Sequence, residues 1–438
     1  MNKIKFFANE ISPDMEGQHV RVAGWIKSVR DLGKIVFVIL TDREGELQIT
    51  FKKGVVSDEL FSKIKKVNLL SAMIVEGVVK KAKTKYGYEI IPEKVEIIPA
   101  EAPLPIDVFS GKTELSKRIN FRTLDVRNRN IAAIFRLKSL IIKAARDWFY
   151  QNGFVEINTP VIGLYVAEGG ANVFEVDYFG RKAYLRQSPQ LYKQLMAGAF
   201  EKVFELGPAF RAEQSYTIRH LTEFLSLDAE IAWIDDIDPL LDVLEKLMIH
   251  IVKTVRNEGK IYFELLEKEL PQIPDRPFPV MSYEEAVRIL KAAKIPLEGK
   301  EIPHIGEKYL GDYIKKKYDT EFFFITDFPW EIRPFYTMKY EDSPNPSTPT
   351  KSMDLLYKGM EIATGSQREH RFNLLVKQMR EKGLTPEKFG YYLEAFKYGM
   401  PPHGGFGIGV DRLVMQMLDL SNIREAVLFP RDPERLEP

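Results

Sequence analysis

Arg211 and Glu213, in the run Phe210-Arg-Ala-Glu, lie just upstream of His220-Leu-Thr-Glu-Phe224. A guanidinium, a carboxylate, an imidazole and an aromatic ring thus share one short stretch. An arginine can hold a phosphate or carboxylate through two parallel hydrogen bonds, and Phe224 offers a flat face to a ring. These are parts of a nucleotide site. Beyond Leu221 the residues alternate. Leu225, Leu227, Ala229 and Ile231 fall on one face of a strand, and Phe224, Ser226, Asp228 and Glu230 on the other. The second face would carry two carboxylates close to Arg211 and Glu213; a solvated face with a surface ion pair is the plain alternative.

Three more constellations accompany it. Lys358-Gly359 makes a tight turn between strands at 352–356 and 360–364. In that register Tyr357 opposes Met360 and Leu356 opposes Glu361. Asp354 and Glu361 then become same-face diagonal neighbours with α-carbons about 7–8 Å apart. Two carboxylates so placed can share oxygen-coordinated Mg2+ that also contacts phosphates, unless they are simply solvated acids. Thr364-Gly-Ser-Gln-Arg368 follows and adds a fixed cation. Gly404, Gly405, Gly407 and Gly409 permit close backbone approach or unusual turns, and Arg412 then sits in the first turn of a helix over 410–418, at its positive end. This glycine run lacks the strand–GxGxxG–helix context of a dinucleotide fold. Finally, Ser188 is a plausible N-cap with Pro189 at the first helical position, and Gln190 and Lys193 share a helix face.

Two kinds of domain must position these groups. Residues 20–29, 35–40, 47–51, 72–79 and 88–98 read as strands, with a helix over 58–67 between the third and fourth. That order suggests a five-stranded OB-type barrel, a fold that often stacks nucleic-acid bases on aromatics. Residues 1–103 are this domain and 104–130 a hinge or linker with little periodicity. From Ile131 the apolar residues Ile134, Phe135, Ile141, Ala145, Trp148 and Phe149 recur at helical spacing, Gly153 closes the helix and 154–160 reads as a strand. The rest, 131–438 overall, places strands in neighbouring hairpins, which favours an antiparallel α+β domain over a doubly wound sheet. Residues 343–349 form a turn-rich loop.

The chain has no cysteine, so disulfides and thiolate metal sites are excluded, and its 6 histidines lack ligand spacing. Lys and Arg number 17 against 13 Asp and Glu in residues 1–100, and 46 against 49 in the remainder. A mildly basic N-terminal domain permits nucleic-acid contact without requiring it. No signal pattern or long apolar run stands out, which reads as a soluble, intracellular protein without membrane partners. The absence of cysteine and the 29% charged residues lean towards a thermophile.

Taken together these motifs resemble the class II aminoacyl-tRNA synthetases, most closely the aspartyl group of the archaeal and eukaryotic type, over nearly the whole chain. The helix from Ile131 with 154–160 is similar to motif 1, Phe210 to Phe224 to motif 2, and Gly405 to Leu413 to motif 3. The resemblance implies an ATP-dependent ligase that joins L-aspartate to tRNA(Asp), with Mg2+, as a cytoplasmic homodimer formed through motif 1 with Pro160 at the interface. It implies that Arg211 binds the ATP α-phosphate and the aspartate carboxylate. Glu213 contacts adenine, Arg219 and His220 reach the outer phosphates, and Phe224 and Arg412 sandwich the adenine, with Leu221 and Gly409 also at ATP. Arg211, Arg412 and Glu361 would be catalytic, and Asp354, Glu361 and Thr364 would hold the metal. Glu168 (in a segment similar to the family's flipping loop), Ser188 and Gln190 would surround the amino group. Lys193, Arg368, Asp228 and Thr364 would complete the amino-acid site.

Specificity follows from charge. A buried anion needs paired charge; Lys193 and Arg368 supply two cations, with Asp228 orienting Lys193, and asparagine would leave one cation unpaired. Relatives specific for asparagine keep an arginine like Arg368 but lack a lysine like Lys193. In the barrel, Phe37 matches a base-stacking position, Gln48 and Glu89 match base-edge readers, and Arg30 joins them at the tRNA; core packing is the alternative for Phe37. Trp25 and Lys85 differ from the His and Pro common in relatives lax towards tRNA(Asn), which leans to a strict enzyme. The competing readings are an asparaginyl enzyme, one that also charges tRNA(Asn), a tRNA-independent asparagine synthetase, which would lack the barrel, and an inactive RNA-binding paralogue, which would lack Arg211, Glu361 or Arg412. His304-Ile-Gly306 matches part of the signature of the Rossmann-type synthetase class, but no N-terminal βα unit precedes it, and Thr350-Lys-Ser-Met-Asp is a poor lysine loop.

Overall fold

Strict alternation builds the first unit. In β4 (Ala72–Lys81) Met73, Val75, Gly77 and Val79 point inward and their neighbours outward. With β1 (His19–Asp31), β2 (Ile35–Thr41), β3 (Glu46–Lys52) and β5 (Tyr88–Ile98) it closes a barrel in the order β1-β2-β3-β5-β4. The computed structural model describes residues 5–164, 173–214 and 217–438 and divides into units Met1–Ala132 and Ala133–Pro438. Val22, Val36, Val38, Ile49 and Phe51 fill the barrel, each contributing about 1.5–3 kcal/mol by burial. Helix α1 (Asp58–Lys65) plugs it with Phe61 and Ile64. Ser57 caps α1 by accepting the Leu60 N–H.

The stretch 104–130, expected as a hinge or linker with little periodicity, carries α2 (Leu115–Asn120) and α3 (Arg122–Asp125). Charge holds this segment where periodicity is missing. Arg118 Nε and the buried Arg122 Nη1 each donate to Asp125 at 2.8 Å. Leu104, Phe109 and Leu124 pack with Trp25 beside buried Leu70, Ile106 and Val108.

The second unit begins within α4 (Arg129–Gln151) and continues with β6 (Val155–Glu156), β7 (Ile162–Gly163), β8 (Glu175–Tyr178), β9 (Arg181–Leu185) and α5 (Gln190–Phe200). There follow β10 (Lys202–Phe210), β11 (Glu223–Ala232), α6 (Asp238–Glu258), α7 (Lys260–Leu266), β12 (Val280–Ser282), α8 (Tyr283–Ala292), α9 (His304–Tyr318) and β13 (Phe322–Thr326). It ends with β14 (Ser352–Tyr357), β15 (Met360–Gln367), α10 (Phe372–Glu381), α11 (Gly390–Phe396), β16 (His403–Gly409) and α12 (Val410–Met417). Eight strands form one sheet in the order β12-β13-β14-β15-β16-β11-β10-β6, and β7-β9-β8 form a second. The large sheet is antiparallel except at its edges, where β12–β13 and β6–β10 run parallel.

The apolar stripe of α4 lies on one face of this sheet. Ile134, Leu137, Ile141, Trp148 and Phe149 pack with Leu244, Met248 and Ile251 of α6 against Leu227, Ala229, Phe406 and Ile408. Phe149 stacks on Phe204 at 4.6 Å. The opposite face of β11 is left to Ser226, Asp228 and Glu230.

Two expectations are corrected here. The strand expected at 154–160 shrinks to Val155–Glu156. The Ile157 N–H still bonds Phe204 O at 2.9 Å, but Thr159 turns to Glu205, donating its Oγ1 at 2.7 Å, and Pro160 has no N–H to give. In α5, Pro189 is the N-cap rather than the first helical residue; the Ser188 hydroxyl instead accepts the Gln190 N–H at 3.3 Å.

Candidate active site

The β10–β11 hairpin pairs Ala209 with Phe224, Glu205 with Asp228 and Val203 with Glu230. This register sets Arg211 just beyond β10, its N–H bonded to Thr222 O at 3.0 Å and its guanidinium 5.5 Å from the Phe224 ring. Both line a cleft of about 290 Å³ together with Ser188, Gln190, Lys193, Glu213, Arg219, His220, Leu221, Asp228, Glu361, Thr364, Arg368, Gly409 and Arg412. Leu221 belongs to an apolar cluster with Met360, Met415 and Ile423, against which Phe224 packs. The Thr217 hydroxyl and His220 Nδ1 are bonded at 2.7 Å. Burial, and then the charge of Arg412, lower the His220 pKa, so its neutral form is favoured before an anion binds.

The polar face of β11 is buried, not solvated. Asp228 is 2% and Glu230 0% exposed. Each anion holds one of the expected cations. Lys193 Nζ donates to Asp228 Oδ1 at 2.8 Å and to Phe406 O at 3.0 Å. Arg368 donates from Nε and Nη2 to Glu230 at 2.8 and 3.2 Å, and from Nη1 to Ser366 Oγ at 2.7 Å. Ser226 Oγ donates to Asp228 Oδ2 at 2.6 Å. Burial works against the charge of Arg368, but Glu230 outweighs it and raises its pKa. Asp228 orients Lys193 as expected, and Glu230 supplies the anion that was not expected for Arg368, so the four charges cancel.

The glycines of β16 make this packing possible by close approach rather than by unusual turns. A β-carbon on Gly405 would lie 2.1 Å from both Ala229 O and Glu230 Oε2. We therefore expect Gly405→Ala to destabilise the fold by about 1–3 kcal/mol, the ordinary cost of overpacking. Thermal melting would test this; an unchanged midpoint would show that the strand yields without strain.

The β14–β15 hairpin starts in the expected register, Leu356 opposite Glu361. A bulge at Leu355/Leu356 then shifts it, so Asp354 faces Thr364 and the simple diagonal to Glu361 is lost. The bulge has a consequence. Glu361 and Thr364 are three apart and would face opposite ways on a regular strand. Here Ile362 and Ala363 are buried between them, and both Glu361 and Thr364 reach the cleft.

Asp354, 8% exposed, is not among the residues that line the cleft. Burial pushes its pKa up to about 6 against the pull of Arg333. Arg333 Nη2 stands 2.9 Å from Asp354 Oδ2, its Nη1 donates to Thr364 Oγ1 at 3.4 Å, and its guanidinium lies 3.8 Å from the Phe328 ring centre. Asp354 Oδ1 is buried with no hydrogen-bond partner.

Helix α12 ties the pieces together. Its N-cap is Gly409, and Arg412 Nη1 donates to Glu361 O at 3.4 Å. Buried Asp411 accepts the Leu225 N–H at 2.9 Å and also binds Lys138 of α4. One carboxylate thus joins the three elements that carry the sequence motifs. Elsewhere in the cleft, Gln190 Nε2 and Gln187 Oε1 are buried without partners.

Comparison with known proteins follows this geometry. Residues 114–433 match the family model described as tRNA synthetases class II (D, K and N), and residues 20–98 match an OB-fold nucleic acid binding domain. The chain belongs to the class II tRNA synthetases. An aspartate–tRNA(Asp) ligase of Pyrococcus abyssi is 47% identical over 99% of each chain. An aspartate–tRNA(Asp/Asn) ligase of Methanopyrus kandleri is 44% identical, again over 99% of each. The asparaginyl-tRNA synthetase from Pyrococcus horikoshii complexed with asparaginyl-adenylate superposes with TM-score 0.92 at 36% identity, over the full length of both chains.

The OB unit of this synthetase arranges its expected residues in three places. Arg30 pairs with Phe37, and Phe37 with Thr50, so the three share one outer face. Phe37 is only partly buried, facing away from the barrel core. The Thr50 hydroxyl donates to Glu89 at 2.6 Å, and Gln48 Nε2 donates to Thr50 at 3.2 Å. Lys85 lies apart, bonded to Glu46 at 2.9 Å. Glu46 titrates at about 2, because Lys27, Lys85 and Tyr86 together overcome the effect of its burial. Trp25 packs on the 104–124 segment, with the Arg127 guanidinium 4.9 Å from its ring.

Glu168 lies outside the described residues. Pro160 lines a separate groove with Ile162, Leu164 and Tyr178. Among the described residues, no helix of the synthetase is long and apolar enough to cross a membrane, and no group of three or more His, Asp or Glu is placed to hold a metal. Glu230, Ser226 and Ser366 escaped the sequence reading as site residues although strand parity already put Glu230 beside Asp228. Gln187, Arg333 and Glu307 carried no local signal.

Proposed function

We propose that the chain activates L-aspartate with ATP to aspartyl-adenylate and transfers the aspartyl group to the 3′ end of tRNA(Asp). The observation that carries this reading is the donor inventory around the charge quartet. Lys193 has three N–H donors, of which Asp228 and Phe406 O take two. Arg368 has five, of which Glu230 and Ser366 take three. What remains unused on these two cations is donors. A carboxylate accepts from all of them, whereas the NH2 of asparagine would set a donor against a donor. Sites built around buried polar groups reject a mismatched partner by large factors. Geometry of donors, not excess charge, selects the acid.

In this reading Arg211 holds the α-phosphate and the aspartate α-carboxylate together, and Phe224 and Arg412 enclose the adenine. Glu213 contacts the adenine amino group, with Leu221 and Gly409 beside the nucleotide. Arg219 and His220 meet the outer phosphates. The α-carboxylate attacks the α-phosphorus in line and pyrophosphate leaves; Arg211 and Arg412 stabilise the added charge, and the chemistry is positioning and electrostatics without a protein nucleophile. Ser188, Gln190 and Glu168 surround the amino group.

Glu361, Thr364 and Asp354 present hard oxygens, and the unpartnered Oδ1 of Asp354 suits a Mg2+ ion. When bound, that ion supplies charge to the phosphates. Phe37, Arg30, Gln48 and Glu89 form the anticodon face, while Trp25 and Lys85 bear on the choice between tRNAs. The reading includes a homodimer through α4 with Pro160 at the interface, in the cytoplasm.

Charging of purified tRNA(Asp) and tRNA(Asn) tests it. Aspartate should be esterified to tRNA(Asp) at a rate well above tRNA(Asn). Equal charging of both would make this a dual-specificity enzyme, like the relative from Methanopyrus, and no charging of tRNA(Asp) would end the proposal.

A further inference from the structure

Arg219 does not project freely into the cleft. Its Nη1 donates to Glu307 Oε2 at 3.0 Å, and the two side chains are only 25% and 13% exposed. Glu307 comes from α9, 88 residues further along the chain. We infer that Glu307 is a positioning residue for the nucleotide: it fixes the Arg219 guanidinium in place before ATP arrives, and so makes α9 part of the phosphate subsite. The inference rests on the reading above, in which Arg219 meets the outer phosphates.

Three features support it. A guanidinium has five N–H donors, and Glu307 takes one, so a phosphate can be bound without breaking the pair. Preorganisation of this kind lowers the ordering cost of binding. The anchor itself is rigid. Glu307 sits in the first turn of α9, where the helix dipole favours an anion. Helix α9 is locked to the hairpin bearing Glu361, because a β-carbon on Gly311 would lie 2.6 Å from the Gly359 backbone, and one on Gly359 2.8 Å from Lys308 Cα.

Charged groups face Glu307 from several elements. Arg219 and Arg412 face it as cations, Glu361 and Asp354 as acids, and His304 Nδ1 lies 3.6 Å away. Burial, and then Glu361, push its pKa up to about 7. The segment containing His304-Ile-Gly306, which matched the wrong synthetase class, thus ends beside the motif 2 loop for a reason of its own.

A double-mutant cycle on the full chain, read as the KM for ATP in aspartate-dependent pyrophosphate exchange and as ATP affinity by calorimetry, decides the matter. Glu307→Gln keeps the shape and removes the charge. It should weaken ATP about tenfold, as expected when a hydrogen bond between two charged groups becomes one to a neutral amide oxygen, while kcat and the KM for aspartate stay within about twofold. Arg219→Ala should weaken ATP at least as much, and the double variant should be no worse than Arg219→Ala. An E307Q enzyme with unchanged or tighter ATP binding would overturn the inference, as would effects that multiply. If R219A alone left ATP binding intact, the assignment of Arg219 to the phosphates would fall, and this inference with it.

Discussion

Arg211→Ala is expected to reduce aspartate-dependent ATP–pyrophosphate exchange by about a thousandfold or more. Removing one preorganised donor from a developing oxyanion costs about 10²- to 10³-fold, and Arg211 is proposed to serve two reacting groups at once. Its position explains why the loss should fall on chemistry rather than folding. It stands beyond the end of β10, half-buried, with its guanidinium against one face of Phe224, and none of the core clusters includes it. The melting temperature of R211A should therefore match the parent protein. Arg211→Lys should recover little, because an ammonium cannot span two oxygens with a planar fork. Exchange within tenfold of wild type in R211A would remove Arg211 from the centre of the mechanism.

Lys193→Met should damage both binding and fold. Lys193 is 2% exposed and lies 2.8 Å from Asp228 and 3.7 Å from Glu230. Methionine fits the volume but leaves two buried carboxylates with Arg368 alone between them. Breaking a buried pair in this way costs about 3–5 kcal/mol. The KM for aspartate should also rise by about two to three orders of magnitude, since a donor aimed at the side-chain carboxylate is gone. The double variant Lys193→Met/Asp228→Asn separates the two effects. It removes the orphaned charge and should recover much of the stability, measured by chemical denaturation, without recovering aspartate binding. A stable K193M that binds aspartate normally would show that the quartet is structural.

The fates of particular residues show what a sequence can disclose. Phe224 and Asp228 were legible because a strand repeats every two residues, so parity placed them on one face; Arg211 was legible from its run Phe210-Arg-Ala-Glu just upstream. Lys193 and Gln190 were legible from the three-residue helical spacing. Parity also put Glu230 in place, but its partner Arg368 is 138 residues away, and no local pattern joins them. That missing partner made the pocket look cationic when it is neutral. The hairpin turn at Lys358-Gly359 set the register correctly for two pairs; the bulge beyond it depends on packing against neighbouring strands and left no mark in the local pattern. Glu307 and Arg333 were invisible for the same reason as the pairing of Glu230 with Arg368: each acts across the fold on a residue remote in sequence. The segment 104–130 looked irregular because its order comes from Arg118, Arg122 and Asp125 rather than from an apolar stripe.

The central claim is that the unused donors of Lys193 and Arg368 select an acid for adenylation beside Arg211. ATP–pyrophosphate exchange with L-aspartate and L-asparagine as alternative substrates measures that selection before any tRNA is involved. The account predicts rapid exchange with aspartate and a kcat/KM for asparagine lower by about 10³-fold or more. Equal exchange with the two amino acids, or a preference for asparagine, would contradict it.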